Sequence, residues 1–259
     1  MYLELIQSKD NQLIKEVKKL KEKRYREEQG KFFIEGCRFV EEAFKAGADV
    51  EKLLISQKHS EKYINIFQSA VKGSLHVIKD SLFNDICDTE APQGIAAIIR
   101  KKTYNTPREN GLFVLVDKVQ DPGNLGTIIR TAHAASAKGI IYTAGTVDPY
   151  NEKTLRSTMG SIFYVPIIED KNHQIVASMK EVGYKVVASS LDAEENFFAR
   201  TYGEKVIIAV GNEGKGISEE VYALADIRVK IPMPGGAESL NASVAASIMI
   251  YEVLRQNLK

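Results

Sequence analysis

The sequence predicts an α/β protein built from two successive α/β domains, and three observations support this. Short apolar strands alternate with helical segments along the chain. The strands of the second half are apolar at nearly every position, which is typical of a parallel sheet covered by helices on both faces. Residues 101–111 are polar and lack apolar periodicity. We therefore expect a first domain over 1–100, a linker over 101–111 and a second domain over 112–259.

The first half is predicted to begin with a helix. Leu13, Val17 and Leu20 recur at helical spacing among charged residues, which predicts one exposed helix over 11–29, ended by Gly30. Apolar runs then alternate with helical patterns. The predicted strands are KFFIEG, EKLLIS, SLHVIK and GIAAIIR, and the predicted helices are CRFVEEAFKAG, 60–70 and 80–86.

The second half repeats this alternation with more uniformly apolar strands. The predicted strands are LFVLVD, GIIYTA, YVPII, YKVVASS, KVIIAVG and DIRVKIPM, and helices are expected from about 127, 151, 175, 218 and 240. Ligands of open α/β sheets usually bind beyond the carboxyl ends of the strands. The loops that follow these strands are therefore the first place to look for a site.

Composition excludes several classes of protein. With 44% apolar and 27% charged residues, the 259-residue chain is neither disordered nor fibrous. Two cysteines, Cys37 and Cys87, cannot form a disulfide framework or a four-thiolate zinc site, and we expect both to be reduced. The four histidines lack metal-ligand spacing, so no metal is expected. No signal peptide or membrane-spanning run is visible, and a cytoplasmic protein is expected.

The first of three glycine-containing loops lies in DKVQDPGNLGTIIRTAHAA, residues 117–135. Its Pro and Gly residues predict a tight turn, with Asn124 in the turn, a helix from about Thr127 and Arg130 on the first helical turn. A helix N-cap followed by a surface arginine would explain the same pattern, and from spacing alone neither reading is preferred.

The second loop, VGNEGKGIS, covers residues 210–218. It lacks the Walker spacing because Lys215 is followed by Gly216, so a nucleotide-hydrolysing P-loop is not expected. Glu213 lies at its tip. The alternative is a helix-entry turn in which Glu213 stabilises the dipole of the next helix.

The third loop, in IPMPGGAESLNASVAASIMIYEVLR, is made irregular by its prolines and glycines and ends in Ser239, Leu240 and Asn241. A long helix follows, with small residues on one side. Small side chains let backbones approach closely, so this helix is expected to pack tightly against a sheet or a second subunit.

In this order, DPGNLGTIIRTA, VGNEGKGIS and IPMPGGAESLNASVA resemble the three signature motifs of the SpoU (TrmH-like) branch of the SPOUT RNA methyltransferases. KFFIEGCRFVEEAFKAG and APQGIAAI resemble that family's substrate-binding domain, which is similar in fold to the ribosomal protein L30e class. The resemblance implies an N-terminal L30e-like domain, a C-terminal parallel-sheet SPOUT domain with a deep trefoil knot, S-adenosylmethionine as cofactor, and a ribose 2′-hydroxyl of RNA as methyl acceptor.

The resemblance also assigns roles to residues. Arg130 matches the catalytic arginine, with Asn124 close by to hold it, while the other catalytic positions orient Arg130, the ribose and the cofactor loops. The implied catalytic residues are Arg130, Asn124, Glu213, Ser239 and Asn241; the implied cofactor-binding residues are Gly211, Ile231, Met233 and Leu240; the implied RNA contacts are Arg38, Lys153 and Arg156. A solvated helix face remains the alternative for Lys153 and Arg156.

The charge distribution bears on the partner. The net charge of +1 averages +3 over residues 1–110 and −2 over 111–259. Residues 9–26 contain eight basic and three acidic residues, and such a helix could lie along RNA phosphates or simply be a soluble helix face. Ribosomal RNA is the expected substrate and a homodimer the expected state. Transfer RNA and a non-catalytic RNA-binding or ribosome-assembly role are the alternatives.

Overall fold

The computed structural model describes residues 4–105 and 109–258. Its contacts divide the chain into two compact units, one made of the residues up to Thr103 with Tyr150–Leu155, the other of Tyr104–Pro149 with the residues from Arg156 onward. Part of the expected linker, residues 106–108, lies outside the described residues.

The segment Tyr150–Leu155 lies in the second domain of the sequence-based division but groups with the first unit. Its Tyr150 ring lies 4.9 Å from the ring of Phe32, and Lys101 Nζ lies 4.3 Å from the centre of the same tyrosine ring. Aromatic packing and a cation–π contact therefore draw this segment to the first unit, which no local pattern could reveal.

The first unit contains a five-stranded mixed sheet in the order β1-β4-β3-β5-β2, in which β5 runs antiparallel to β2 and β3. A two-residue strand, β1, was not predicted. The strands are β1 Leu5–Ile6, β2 Lys31–Glu35, β3 Val50–Ser56, β4 Ser74–Ile78 and β5 Ile95–Arg100; the helices are α1 Gln12–Lys19, α2 Lys23–Gln29, α3 Cys37–Lys45, α4 Ser60–Phe67 and α5 Asp80–Ile86. Apolar side chains of α1 and α5 form a buried core with those of the sheet.

The single helix expected over 11–29 is wrong, because two helices, α1 and α2, occupy this range. Arg26 of α2 is only 5% exposed, and its guanidinium donates to the carbonyl oxygens of Leu20 and Lys21, both at 2.7 Å. These carbonyls lie just past the end of α1, where no helical N–H is available to them. The buried arginine thus stabilises the break. Gly30, at φ 61°, ends α2 as predicted.

The second unit contains a six-stranded sheet, all parallel, in the order β11-β9-β10-β6-β7-β8, which confirms the predicted parallel architecture. Its strands are β6 Gly111–Val116, β7 Gly139–Tyr142, β8 Ile167–Glu169, β9 Lys185–Ser189, β10 Lys205–Val210 and β11 Ile227–Val229; its helices are α6 Pro122–Ala134, α8 Gln174–Glu181, α9 Glu219–Leu224 and α10 Ala242–Asn257. The helix α7 Glu152–Thr158 spans the boundary between the units. The trefoil knot stays a prediction.

Helix α6 begins at Pro122 rather than near Thr127. Asp121 is its N-cap, since its Oδ1 accepts a hydrogen bond from the backbone N–H of Asn124 at 2.7 Å, and Pro122 occupies a position where no N–H is needed. Asn124 therefore lies in the first turn of the helix, and Arg130 lies two turns further along. The Asp-Pro pair, rather than the glycines, marked the start.

All three predicted loops leave the same edge of the parallel sheet. Val116 of β6 and Val210 of β10 are paired, as are Ser189 of β9 and Val229 of β11, and each residue ends its strand. Parallel strands place their carboxyl ends together, so loops that are far apart in sequence are collected at one edge. No helix in the described ranges is long and apolar enough to cross a membrane.

Candidate functional site

Hydrogen bonds between three side chains join the three loops. Asn124 Nδ2 donates to Glu213 Oε1 at 2.9 Å, and Asn241 Nδ2 donates to Asn124 Oδ1 at 2.9 Å. Asn124 comes from the start of α6, Glu213 from the loop after β10, and Asn241 from the residue before α10. One continuous chain of side chains therefore links all three motifs, and we call it the Glu213–Asn124–Asn241 chain.

The carboxylate fixes the orientation of both amides. An ionised carboxylate only accepts hydrogen bonds, so Asn124 must turn its NH₂ group toward Glu213 and its oxygen toward Asn241. Asn241 must in turn donate to Asn124, which leaves its oxygen free to cap α10. That oxygen accepts from the backbone N–H groups of Ser243 at 2.9 Å and Val244 at 3.3 Å, and from the Ser243 hydroxyl at 2.7 Å.

Glu213 is held in its charged form. Burial alone would raise its pKa, but hydrogen bonds from the Asn124 side chain and from backbone N–H groups lower the pKa below the ordinary glutamate value. The backbone donors include Gln120, whose N lies 3.2 Å from Oε2, and Asp121, whose N lies 3.1 Å from Oε1. The stability that these bonds provide is therefore present above the ordinary glutamate pKa and is lost as the pH falls through the lowered one.

The loop that carries Glu213 is closed on itself. Asn212 and Gly216 exchange two backbone hydrogen bonds of 2.9 Å, and Asn212 Oδ1 accepts from the N–H groups of Gly214 and Lys215, both at 3.0 Å. A Cβ on Gly211 would lie 2.2 Å from the backbone carbon of Gly216. Glycine is thus required at 211 by the closure of this loop.

Arg130 is the ninth residue of α6, and its side chain is exposed. Within the described residues it makes no hydrogen bond or ion pair. The Asn124 amide binds Glu213 and Asn241 and makes no described hydrogen bond to Arg130, so the expectation that Asn124 holds Arg130 stays a prediction. Ser239 is also exposed, and no described hydrogen bond ties it to the Glu213–Asn124–Asn241 chain.

The four residues assigned to the cofactor lie after β10 and β11, at the same edge of the sheet. Gly211, Ile231, Met233 and Leu240 are all half-buried. In the described part of the chain, the backbone N–H and carbonyl groups of Gly211, Ile231 and Leu240 form no hydrogen bonds with other chain groups. These groups are therefore available to a ligand with hydrogen-bonding edges.

Sequence reasoning missed the residues that follow β9. Ser190 donates its backbone N–H to Val229 O at 2.8 Å, which places the loop after β9 beside the end of β11. The next residue, Leu191, is 61% exposed. The only available signal was a large apolar residue directly after a predicted strand, and the motif comparison did not include it.

The residues assigned to RNA are distributed over both units. Arg38 is exposed at the start of α3 in the first unit. Lys153 and Arg156 are exposed on α7, and the contact-based division assigns the former to the first unit and the latter to the second.

Most cations of the basic segment 9–26 are already paired within the first unit. Carboxylates lie within salt-bridge distance of five of them, a sixth, Arg26, is buried, and Lys19 lies over the ring of Tyr25. The pairs are Lys9–Asp85, Lys15–Asp10, Lys21–Asp88, Lys23–Glu27 and Arg24–Glu28. The interpretation of this segment as a phosphate-binding helix face is therefore not favoured.

The chemical content of the site is narrow. The Glu213–Asn124–Asn241 chain supplies one ionised carboxylate and two oriented amides, and Arg130 adds a permanent positive charge. None of these groups is a nucleophile activated by a base, as acyl-transfer enzymes require. Among residues 4–105 and 109–258, no group of three or more His, Cys, Asp or Glu side chains is arranged to hold a metal ion. The site can orient and hydrogen-bond a polar substrate.

Comparison with known proteins identifies relatives of both units. Residues 111–251 match the SpoU rRNA Methylase family, and residues 11–97 match the MRM3-like substrate binding domain. The 23S rRNA (guanosine(2553)-2′-O)-methyltransferase RlmP of Bacillus subtilis is 35% identical over 250 residues, which cover 96% of this chain and 98% of the relative.

Solved structures fall into two groups by how much of the chain they cover. The AdoMet-bound rRNA methyltransferase from Sinorhizobium meliloti superposes with a TM-score of 0.87 at 31% identity and covers 99% of each chain. The TrmH/SpoU tRNA modifying enzyme of A. aeolicus, at 33% identity and a TM-score of 0.50, covers 57% of this chain and 76% of its own.

Proposed function

Because this chain belongs to the SpoU rRNA Methylase family, we propose that it transfers the methyl group of S-adenosylmethionine to a ribose 2′-hydroxyl of ribosomal RNA. The observation that carries the proposal is the Glu213–Asn124–Asn241 chain, which joins the three motifs at one edge of the parallel sheet. Asn124 of this chain lies on the same helix as the exposed Arg130. The same geometry would be retained without purpose in a non-catalytic RNA-binding protein.

The free backbone groups after β10 and β11 fit the cofactor. S-adenosylmethionine carries its methyl group on a sulfonium, from which a neutral thioether is a good leaving group. It also presents a purine with hydrogen-bonding edges. Gly211, Ile231 and Leu240 offer backbone donors and acceptors, and we assign these residues, with Met233, to cofactor binding. The exposed Leu191 beside them offers apolar surface.

The chain's own residues act on the acceptor. A ribose 2′-hydroxyl is a weak acid, so its oxygen reacts well only when it is correctly oriented and its proton is accepted elsewhere. Arg130 is a poor proton acceptor because a guanidinium stays protonated, so the 2′-hydroxyl proton passes to solvent water as the oxygen takes the methyl group and the thioether of the cofactor leaves. Arg130 holds the reacting ribose and its neighbouring phosphate. Positioning of this kind supplies several kcal/mol of rate enhancement. In this assignment Glu213 and the two asparagines hold the loops around the ribose, and the exposed Ser239 helps to orient it.

Ribosomal RNA is favoured over transfer RNA by the extent of the similarity. The relatives named for rRNA match both units of this chain, whereas the tRNA-modifying structure covers about the length of the second unit. We therefore propose that the first unit distinguishes the substrate. We assign it the RNA recognition that its match to a substrate binding domain suggests.

The function is tested by mapping ribose methylation in cells with and without the gene. One ribosomal RNA position should lose its 2′-O-methyl group, and the purified protein with S-adenosylmethionine should restore it. Loss of a methyl group from tRNA would support the alternative substrate. An unchanged map, with no transfer to any RNA by the purified protein, would support a non-catalytic role.

We place the RNA contacts of the first unit at the edge where β2, β3 and β4 end. Glu35 pairs with Ala96, and Ser56 pairs with Ile78, so these strand ends and the start of β5 share one edge. Exposed cations without a described carboxylate partner follow the strand ends there. They are Arg38, Lys58, Lys62 and Lys79.

The nearby carboxylates do not neutralise these cations through ion pairs. Glu35 accepts from the backbone N–H groups of Asp88 and Thr89, and Asp80 accepts from the backbone N–H of Lys58. Lys62 Nζ also lies 4.9 Å from the centre of the Tyr63 ring. Cations that cluster at one edge without carboxylate partners are what a phosphate backbone requires.

Replacing Arg38 and Lys58 together with Ala should weaken RNA binding. Two phosphate contacts would be lost, so the slope of log affinity against log salt should fall in magnitude by about 2, with kcat unchanged. Equilibrium RNA binding at several salt concentrations measures this. Lys15→Ala with Lys23→Ala is the matched control, because Asp10 and Glu27 already pair with these lysines. An equal loss of RNA affinity in both variants would contradict the assignment of the RNA contacts to this edge.

A homodimer is proposed from an apolar stripe on α10. Val244 and Tyr251 lie seven residues apart on one face and are 46% and 49% exposed, with the half-buried Ile248 between them. The opposite face packs inside the unit, where Ala246, Met249 and Val253 are buried. Sedimentation should give about twice the 28.8 kDa chain mass, and Val244→Glu with Tyr251→Glu should give the single-chain mass. A cytoplasmic location accords with an RNA substrate.

A further inference from the structure

We propose that Asp117 and Lys118 are positioning residues that keep Glu213 in place through hydrogen bonds to both ends of its loop. We call these hydrogen bonds the grip, and the inference rests on the proposed methyl transfer. Neither residue belongs to the DPGNLG turn or to the VGNEGKG loop. They follow β6 directly, at the edge of the sheet where the three loops meet.

Asp117 binds the C-terminal end of the loop that carries Glu213. Its side chain is fully buried, and its Oδ2 accepts the backbone N–H of Ser218 at 2.7 Å. Its Oδ1 accepts the hydroxyl of Thr143, the residue after β7, also at 2.7 Å. A buried carboxylate needs such donors to offset its desolvation. Asp117 therefore binds the end of the Glu213 loop to the ends of two neighbouring strands.

The backbone of Lys118 binds the N-terminal end of the same loop. Its carbonyl oxygen accepts Nδ2 of Asn212 at 2.8 Å. Its φ of 55° is rare for a side-chain-bearing residue, and its N–H is held by the hydroxyls of Thr143 at 3.2 Å and Thr146 at 3.0 Å. Buried threonines thus stabilise the unusual backbone that presents this carbonyl to Asn212.

The grip matters because the Glu213 carboxylate can bind Asn124 and the backbone before α6 only while its loop stays in place. The loop between Asn212 and Gly216 is closed on itself and exposed, so its placement depends on its two ends. Moving the loop would move the Glu213 carboxylate away from Asn124 and release the chain that leads to Asn241. Displacements of about 1 Å in such constellations can lower rates by up to about 100-fold.

Four variants separate positioning from general stability. Asp117→Ala removes the grip on Ser218, and Ser218→Pro removes the same hydrogen bond from the donor side, at a φ of −71° that proline adopts. Asp117→Asn should keep it, because the amide oxygen can serve Ser218 while its NH₂ donates to the Thr143 hydroxyl. Asp170→Ala is the matched control, because Asp170 is also a buried carboxylate directly after a strand, β8, and its Oδ2 accepts the backbone N–H of Val176 at 2.9 Å. Strand β8 lies three positions from β10 in the sheet, so this bond does not hold the Glu213 loop.

The test measures kcat and KM for RNA, together with hydrogen exchange of residues 212–218. We expect kcat to fall about tenfold or more in Asp117→Ala and Ser218→Pro, with KM within about twofold and faster exchange in the loop. Asp117→Asn and Asp170→Ala should stay within about threefold of the parent. Faster loop exchange with unchanged kcat would overturn the positioning role, as would an equal fall of kcat in Asp170→Ala. An inactive parent protein would instead refute the proposed function, while exchange would still report on the grip.

Discussion

Replacing Arg130 with Ala should abolish methyl transfer while leaving the protein folded and able to bind S-adenosylmethionine. The Arg130 side chain is exposed and makes no described contact inside the chain, so its removal should change the unfolding free energy by no more than about 0.5 kcal/mol. In the proposed mechanism it holds the acceptor ribose and phosphate. Loss of one such preorganised group typically lowers kcat by about 100- to 1,000-fold.

Single-turnover methylation with saturating cofactor measures this effect, and calorimetry measures cofactor affinity. Arg130→Lys should recover only part of the rate, because an ammonium keeps the charge but not the planar fork that binds phosphate at two points. Arg228 is the matched control, since it is an arginine of the same unit that stacks on the ring of Tyr222. Arg228→Ala should methylate like the parent. Normal transfer by Arg130→Ala would remove this residue from the mechanism.

The local sequence predicted most elements, and two of the misses have different causes. Uniformly apolar strands correctly indicated the parallel sheet of the second unit. The break between α1 and α2 was missed because it depends on Arg26, whose buried guanidinium binds carbonyls five and six residues away. A charged residue in a charged segment gives no sign that it is buried. The start of α6 was misplaced because the glycines were weighed above Asp121 and Pro122.

The motif resemblance predicted which residues form the candidate site but not which of them bind one another. It supplied Asn124, Glu213, Asn241 and Arg130 as a set, but it paired Asn124 with Arg130. The observed partners of Asn124 lie 89 and 117 residues away in the chain. Such pairings are set by the order of the strands, not by any local pattern. Charges behave the same way, because Lys21 of the basic segment is neutralised by Asp88 from a distant loop.

Replacing Asn124 with Asp should destabilise the second unit in a pH-dependent way. The substitution preserves shape, but it places a carboxylate oxygen where Nδ2 now lies, 2.9 Å from Glu213 Oε1. Two carboxylates at this distance cannot both ionise without strong repulsion, so the pair retains a proton to a higher pH than either group alone. A hydrogen bond to a charged group is lost as well, and we expect a cost of about 2–4 kcal/mol at neutral pH.

The sign of the pH dependence follows from the carboxyl pKa values of the parent protein and of Asn124→Asp. In the parent, hydrogen bonding lowers the pKa of Glu213, so its contribution to stability is complete above the ordinary glutamate pKa and fades in acid. In Asn124→Asp the carboxyl pair has a raised pKa, so its penalty is absent in acid and grows as the pH rises through the ordinary carboxyl range. The deficit relative to the parent should therefore be small near pH 4 and largest near pH 7, and thermal unfolding at several pH values measures it.

The chain contains a matched control for this substitution. Asn110 Nδ2 donates to Glu204 Oε2 at 3.0 Å in the same unit, which is the same Asn–Glu contact, but both side chains are exposed. Water screens exposed charges, so Asn110→Asp should cost no more than about 1 kcal/mol and show little pH dependence. Equal deficits in the two variants would mean that the Glu213–Asn124–Asn241 chain contributes no more than a surface contact. A deficit confined to Asn124→Asp, together with lost methyl transfer, would show that the partly buried hydrogen bonds of this chain maintain the site.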